Sequence, residues 1–357
     1  MKKNIDIKSL VTKEVASLTP YSPDIVDVPI KIDAMEMPYL LSESLRGKVT
    51  DALNKAEINR YPDPDIRKVK EGLSALTGIT TDRMIVGNGS DELIQLIFTA
   101  CGGGGGKVLF PAPTFGMYKI IAVPLKMSAI AVPLKDDWSL DEDAFIEAIK
   151  KERPAIIILA NPNNPTGNYF GEETIRRILD TAEGVVVADE AYYNFSKKTS
   201  LNLIDEYPNL IVLRTLSKIG MAGLRVGFML GNKGLLAEIG KIRLPYNINL
   251  LSQAAATTIL ENMSEVNESI DKVIESRERL FEQMQSIPNI TPYPSETNFI
   301  LFRTEKEAGA IHRGLIEKGI LIRNLSDNNR LKNCLRVTIG TEEENDAFLD
   351  LLTELVS

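Results

Sequence analysis

Residues 214–227 read RTLSKIGMAGLRVG, from Arg214 to Gly227. Just before them, Leu210-Ile211-Val212-Leu213 is a short apolar run of the kind that forms a buried strand. Thr215, Leu216, Ser217 and Lys218 follow at its C-terminal end, where open α/β sheets hold their ligands. Gly220 and Gly223 let the chain turn back closely, and Arg225 opens a second apolar run over 226–230. One lysine, one arginine and two hydroxyls at the mouth of a sheet can supply a carbonyl-reactive amine and a phosphate clamp. Taken alone, the stretch is equally a strand, a loop and two exposed basic residues. The neighbouring segments decide between the two.

Upstream, the same unit recurs. Val185-Val186-Val187-Ala188 is a wholly apolar strand ended by Asp189-Glu190-Ala191-Tyr192. A carboxylate in that place is costly unless it meets a cation or a hydrogen-bond donor, and a pyridinium nitrogen would serve. Residues 155–160 form another buried strand, and Asn161-Pro162-Asn163-Asn164-Pro165-Thr166-Gly167 is a stiff turn that fixes a polar side chain at the sheet edge. Val108-Leu109-Phe110 leads into Pro111-Ala112-Pro113-Thr114-Phe115-Gly116-Met117-Tyr118, where an aromatic ring either stacks on a planar ligand or fills core. A short strand at 83–86 ends in Gly87-Asn88-Gly89-Ser90-Asp91-Glu92 and runs into an apolar helix over 93–98. A strand, a glycine turn and a helix capped by Ser-Asp make an anion site, because free N–H groups and the helix dipole face the loop. Helices are expected at 141–151 and 172–179. The repeated alternation between 83 and 230 predicts a mainly parallel sheet covered by helices. Gly102 to Gly106 lacks both the first glycine and the Ser or Thr of a P-loop, so it reads as a flexible connection.

The two ends of the chain have a different texture. Residues 1–40 contain Thr19-Pro20-Tyr21-Ser22-Pro23 and Glu36-Met37-Pro38-Tyr39, which suit an extended arm. Ile25, Val26, Val28, Ile30 and Ile32 are too apolar for a free tail. Helical spacing over 41–59 and 65–76 is interrupted by Arg60-Tyr61-Pro62-Asp63-Pro64. Beyond 231 the pattern predicts one or two long helices across 250–286 and a strand at 298–303. A helix at 308–318, short strands at 320–323 and 335–339, and a closing helix at 342–356 complete it. The expected division is an arm over 1–40, a large unit over 41–245 and a small α+β unit over 246–357, with Arg323 and Arg336 at or near strands of the last.

The bulk numbers bound the rest. A chain of 357 residues, 44% hydrophobic and 25% charged, has the size of two domains and an ordinary globular composition. A net charge of −8 with no basic run argues against nucleic acid as the main partner. Two cysteines, Cys101 and Cys334, form no spaced framework, which suits a reducing compartment. The single histidine, His312, cannot anchor a multi-histidine metal site, so no metal is expected. The start, MKKNIDIKSL, has no apolar core behind its lysines, and no apolar run is long enough to span a bilayer; a cytoplasmic location is expected.

The loops after successive strands offer Ser90, Asp91, Phe115, Asn164, Asp189, Tyr192, Lys218 and Arg225. Jointly they match one chemical object, pyridoxal 5'-phosphate: an amine for its aldehyde, a carboxylate for its ring nitrogen, and cations, hydroxyls and a helix terminus for its phosphate. In GNGSDELI (87–94), APTFGMY (112–118), NPNNPTG (161–167), DEAY (189–192) and RTLSKIGMAGLRVG, the chain resembles the fold-type I pyridoxal-phosphate aminotransferases along nearly its whole length. LTPY (18–21), RYPDPD (60–65), GSDELI (89–94), IRN (322–324) and CLRVTIGT (334–341) make it most similar to the branch of that family acting on histidinol phosphate.

The resemblance implies an α/β large domain with a mainly parallel, seven-stranded type of sheet, a smaller α+β domain, and a homodimer whose arm packs with the small domain and the partner. Lys218 would carry the cofactor and then shuttle the substrate proton. Asp189 would keep the ring nitrogen protonated. Asn164 and Tyr192 would hydrogen-bond the phenolic oxygen, and Phe115 would stack on the ring. Ser217, Arg225 and the backbone amides of Ser90 and Asp91 would hold the phosphate, with Tyr61 reaching it from the neighbouring subunit. Arg336 would take the carboxylate of the amino donor or acceptor, Arg323 would help with the phosphate end of the substrate, and Tyr21 would close over it. The implied reaction passes an amino group between L-histidinol phosphate and 2-oxoglutarate, giving imidazole acetol phosphate and L-glutamate, a step of histidine biosynthesis. Aromatic amino-acid transamination and threonine-phosphate decarboxylation are the alternatives on the same scaffold. A non-catalytic regulator would need an appended DNA-binding domain, and the residues before Tyr39 are too few and too little basic for one. Three features depart from the family pattern: Lys218 and Arg225 stand one residue closer than is common, Met35 and Met37 replace asparagines, and Phe115 lacks the hydroxyl of the more frequent tyrosine.

Overall fold

The computed structural model describes residues 6–20 and 26–357. Strand β1 (Ile30–Lys31) belongs to the arm. It is followed by β2 (Met84–Asn88), β3 (Lys107–Ala112), β4 (Ser128–Pro133), β5 (Ile156–Ala160), β6 (Val185–Asp189), β7 (Leu210–Thr215) and β8 (Val226–Gly231). The C-terminal part adds β9 (Ile290–Pro292), β10 (Phe299–Thr304), β11 (Ile320–Leu321), β12 (Arg323–Asn324) and β13 (Cys334–Thr338).

A seven-stranded sheet in the order β2-β8-β7-β6-β5-β3-β4 forms the centre. Its apolar strands are explained by burial on both faces. Along β5, Ile157 and Leu159 enter one core layer, while Ile156, Ile158 and Ala160 enter the other. The pairs β4–β3, β3–β5, β5–β6 and β6–β7 are parallel, as the strand–helix alternation predicts. β8 runs antiparallel to both β7 and β2. This reversal decides where the chemistry sits. β7 ends and β8 begins at the same edge of the sheet, so the 215–225 loop lies between the C-terminal ends of β2, β5 and β6.

A four-stranded antiparallel sheet, β12-β13-β10-β9, forms a second layer. The arm is part of the fold: β1 pairs in parallel with β11, Ile30 opposite Ile320. Helix Leu250–Leu260 packs on helices Glu43–Asn54 and Arg67–Thr77, and helix Met263–Gln285 lies against β9, β10 and the closing helix Glu342–Val356.

Some elements differ from expectation. The helix read over 93–98 starts earlier, at Gly89, and runs to Gly102, so Ser90 and Asp91 sit inside its first turn and its cap position is Asn88. Its start is tied instead by Glu92, whose carboxylate accepts the Asn88 N–H and the Asn247 side chain. Helix Met117–Ala122, β4 and helix Lys233–Gly240 fall in segments whose pattern assigned no element. β4 is a half-exposed edge strand, which is where a proline such as Pro133 is tolerated.

Candidate active site

Loops from five strands open into one cavity, whose space for water-sized molecules is about 100 Å³. Ser90, Asp91, Phe115, Asn164, Asp189, Tyr192, Ser217, Lys218 and Arg225 all line it, joined by Met35 and Thr215. The structure thus brings these nine sequence-predicted residues together around one cavity.

Asp189 ends β6 on the cavity floor and is buried. Its Oδ2 accepts the Tyr118 hydroxyl at 2.7 Å, and its Oδ1 accepts the Ala191 N–H at 3.2 Å. Burial pushes the carboxyl up from 3.8 to about 6, against the pull of the Tyr118 hydrogen bond. Tyr118 was not singled out by the sequence; its only signal was its place at the end of APTFGMY.

That shift has a measurable consequence for the cofactor-free protein. Between the ordinary aspartate range and about 6, the folded chain binds more protons at Asp189 than the unfolded chain does, so stability falls as pH rises through that window. Asp189→Asn removes the buried charge. We expect it to stabilise the cofactor-free protein by roughly 2–3 kcal/mol at about pH 8, with the gain vanishing near pH 4. Urea unfolding at both pH values measures this, and an equal gain at both would contradict it.

Lys218 stands in the turn Ser217–Ile219, facing Tyr192 with its amine 5.9 Å from the ring centre. Burial, and after it the nearby Arg336 guanidinium, pull the amine down to about 8. A useful fraction is thus unprotonated near neutrality, and only that form attacks a carbonyl.

Of the three asparagines in the 161–167 turn, only Asn164 lines the cavity. Asn161 clamps both backbone groups of Phe170, and Asn163 ties Thr114, Pro113 and Thr166 together. Asn164 Nδ2 donates to Tyr192 Oη at 3.1 Å, and Arg336 Nη1 donates to Asn164 Oδ1 at 2.6 Å. Burial raises the Tyr192 phenol above its ordinary range, so it keeps its proton and can donate it in a hydrogen bond.

At the other end lies a cradle for an anion. The N-terminus of helix Gly89–Gly102 meets Arg225, a left-handed residue at φ 55°. A Cβ on Gly89 would lie 2.6 Å from Arg225 Nη2, and one on Gly227 would lie 2.6 Å from the Ser90 nitrogen. The backbone approach holds Gly227 to glycine, and a left-handed φ of 80° does so for Gly89. Arg225 reaches Asp91 Oδ2 at 3.4 Å, while Asp91 Oδ1 is buried without a hydrogen-bond partner among the described residues. Thr215 Oγ1 donates to Ser217 Oγ at 3.0 Å, which leaves the Ser217 hydrogen for a ligand.

Among the described residues, three expected ones are not in the cavity wall: Tyr61, Arg323 and Arg336, the last of which meets the wall through Asn164. Tyr61 is 81% exposed and stacks on Tyr246 at 4.6 Å between ring centres, outside the cavity wall of its own chain. Arg323 sits opposite Arg336 in the β12–β13 pairing and is not part of the wall. Tyr21 falls outside the described residues. Conversely, Met35 does line the wall. Its backbone is left-handed at φ 56°, its N–H donates to Thr338 Oγ1 at 2.9 Å, and its carbonyl accepts Asn298 Nδ2 at 3.0 Å. Arg336 Nη2 donates to the Asp33 carbonyl at 3.0 Å, so the second sheet grips the arm where it borders the cavity.

Among the described residues, no helix is long and apolar enough to cross a membrane. Residues 29–352 match the family model described as aminotransferase class I and II. Over 346 residues the chain is 43% identical to histidinol-phosphate aminotransferase 2 of Nitrosococcus oceani, covering 96% of each chain. It is 39% identical over 351 residues to the histidinol-phosphate aminotransferase of Thermoanaerobacter pseudethanolicus, covering 98% of this chain and 99% of the relative. The crystal structure of histidinol-phosphate aminotransferase from Sinorhizobium meliloti in complex with pyridoxal-5'-phosphate aligns at a TM-score of 0.88 and 25% identity, over 98% of both chains.

Proposed function

The chain belongs to the class I and II aminotransferases, and from that premise we propose that it transfers the amino group of L-histidinol phosphate to 2-oxoglutarate, with pyridoxal 5'-phosphate as its cofactor. The products would be imidazole acetol phosphate and L-glutamate, a step of L-histidine biosynthesis. One observation carries this reading: a lowered lysine amine, a buried carboxylate and an arginine–helix cradle converge on a single cavity.

The residues present fit the cofactor. The glycine-lined cradle with Arg225 suits a phosphate, and Asp189 suits a protonated ring nitrogen. When bound, pyridoxal phosphate supplies an aldehyde that accepts the amino group and a ring that draws electrons from the substrate's Cα. Lys218 would bind the cofactor through its amine and would then serve as the base for the substrate's Cα proton and the acid that gives it back. Asp189 holds the proton on the ring nitrogen. Asn164 and Tyr192 donate to the phenolic oxygen, and Phe115 covers one ring face. Ser217, Arg225 and the amides of Ser90 and Asp91 hold the phosphate. Arg336 binds the carboxylate of glutamate or 2-oxoglutarate, Arg323 assists at the substrate's phosphate, and Tyr21 closes over the substrate.

A homodimer belongs to the same reading. Ile58, Tyr61, Leu244 and Tyr246 are exposed apolar side chains, and Tyr61 would complete the phosphate site of the partner. The division into an arm over 1–40, a cofactor-binding unit over 41–245 and a small unit over 246–357 is proposed with it, as is a cytoplasmic location. Aromatic amino-acid transamination is the second reading, favoured by the apolar Met35 and Phe115 on the cavity wall.

The test is a half-reaction titration of the loaded enzyme with L-histidinol phosphate, following the absorption of the bound cofactor. We expect the spectrum to change to that of the amine form and 2-oxoglutarate to reverse it. An unchanged spectrum with histidinol phosphate, together with discharge by phenylalanine or tyrosine, would move the assignment to the aromatic reading.

A further inference from the structure

We propose that Tyr118 is a positioning residue that sets the charge and aim of Asp189, and through it the protonation of the cofactor's ring nitrogen. The inference rests on the reading that Asp189 faces that nitrogen.

Tyr118 lies in the first turn of helix Met117–Ala122 and is fully buried. Its ring is held edge-on to Phe115 at 5.5 Å and tilted against Phe110 at 6.1 Å between centres. With the ring fixed, the hydroxyl has one hydrogen-bond partner among the described residues, Asp189 Oδ2 at 2.7 Å. Burial keeps the phenol protonated, so it can only donate to the carboxylate.

The surroundings of Asp189 make that donation decisive. The titratable groups facing it are Tyr118, Asp91, Glu190 and Tyr192, with Lys218 and Arg225 across the cavity. Asp91 and Glu190 push the carboxyl toward its neutral form, as burial does. Among the described residues no salt bridge holds Asp189; the opposing hydrogen bonds come from Tyr118 and from the Ala191 amide at 3.2 Å. A neutral Asp189 has no charge with which to keep a proton on a ring nitrogen. The same two hydrogen bonds fix the plane of the carboxylate, so the Tyr118 hydroxyl governs both ionisation and direction.

The test replaces the hydroxyl alone. Tyr118→Phe keeps the ring and its contacts with Phe110 and Phe115. Titration of Asp189 is followed by infrared carboxyl spectroscopy on protein freed of cofactor, with Asp189→Asn identifying the band. We expect Tyr118→Phe to raise the Asp189 pKa by about one to two units, the size of a charge-assisted hydrogen bond. In the loaded enzyme the acid limb of the kcat profile should move up with it. A merely structural tyrosine would lower stability and leave the titration where it was, and an unmoved Asp189 overturns the proposal. Incorporation of 3-fluorotyrosine at 118 gives a stronger donor and the opposite expected sign, a lower Asp189 pKa. Should Tyr118→Phe fail to fold, that variant decides: a fall supports the proposal and no change overturns it. The two readings separate cleanly. A shifted Asp189 with an unmoved acid limb upholds the Tyr118–Asp189 link, but overturns the part of the proposal that carries it to the ring nitrogen.

Discussion

Replacing Lys218 with alanine is expected to lower kcat by at least about 10⁴-fold, because one side chain serves as both the amine that binds the cofactor and the acid–base group that moves the substrate proton. The loss should not come from unfolding. Lys218 projects into the cavity from a short turn whose neighbours Ser217 and Ile219 are buried, and its own amine is in no salt bridge among the described residues. Lys218→Arg separates the possible roles. Arginine keeps the positive charge but remains protonated, so it cannot attack a carbonyl or accept the Cα proton. We expect it to be as inactive as alanine, and substantial activity would reduce Lys218 to an electrostatic role. The same variant tests the dimer. Lys218→Ala chains mixed with Tyr61→Ala chains should recover activity, because a hybrid dimer has one site carrying both changes and one carrying neither. If Tyr61 serves its own chain, every site in the mixture stays defective and no activity returns. Steady-state rates on the refolded mixture, beside each parent, give the answer.

The second large effect lies one residue beyond Asp189. Glu190 is 2% exposed and Arg214 is 6% exposed, and they form a buried ion pair with Nε and Nη2 of the arginine at 3.0 and 2.9 Å from the same carboxylate oxygen. Thr199 Oγ1 donates to this carboxylate as well, the Ser200 N–H reaches it at 2.6 Å, and the guanidinium lies 3.6 Å over the Tyr193 ring. Such a pair adds little over well-packed apolar residues, but removing one partner strands a charge in the interior. Arg214→Met is therefore expected to destabilise the protein by about 3–5 kcal/mol, and Arg214→Met with Glu190→Gln to recover much of that. Urea unfolding of both variants measures the difference. If single and double variants are equally unstable, the loss is one of packing and not of an orphaned carboxylate. Because Glu190 follows Asp189 directly, the single variant should also weaken cofactor binding more than the double.

The core sheet was readable because both of its faces are buried. Runs such as Ile156-Ile157-Ile158-Leu159 and Val185-Val186-Val187-Ala188 cannot be mistaken for surface, and the polar residues ending them fall at one edge by topology alone. An apolar run carries no direction, however, so nothing in residues 226–230 announced that β8 runs against its neighbours. Tyr118 is hidden in sequence for a related reason. Its partner is 71 residues away, and in sequence a tyrosine in a mixed apolar stretch reads as core. Glu190 and Arg214, 24 residues apart, were hidden in the same way, each beside a residue with a more evident role. The start of helix Gly89–Gly102 is hidden in sequence because Ser-Asp resembles a cap, whereas Glu92 and Asn247 satisfy that end through contacts no local pattern records.

The grip of the second sheet on the arm sets a timetable for the newly made chain. Met35 waits for Thr338, and Asp33 waits for Arg336, each across 303 residues of sequence. At about 5–20 residues per second, the ribosome needs roughly 15 to 60 seconds to supply those partners. The seven-stranded sheet, complete by Gly231, emerges well before them. The lysine, the aspartate and the anion cradle can thus be assembled on a nascent chain whose cavity still lacks one wall, and that wall closes only once Arg336 and Thr338 have been made.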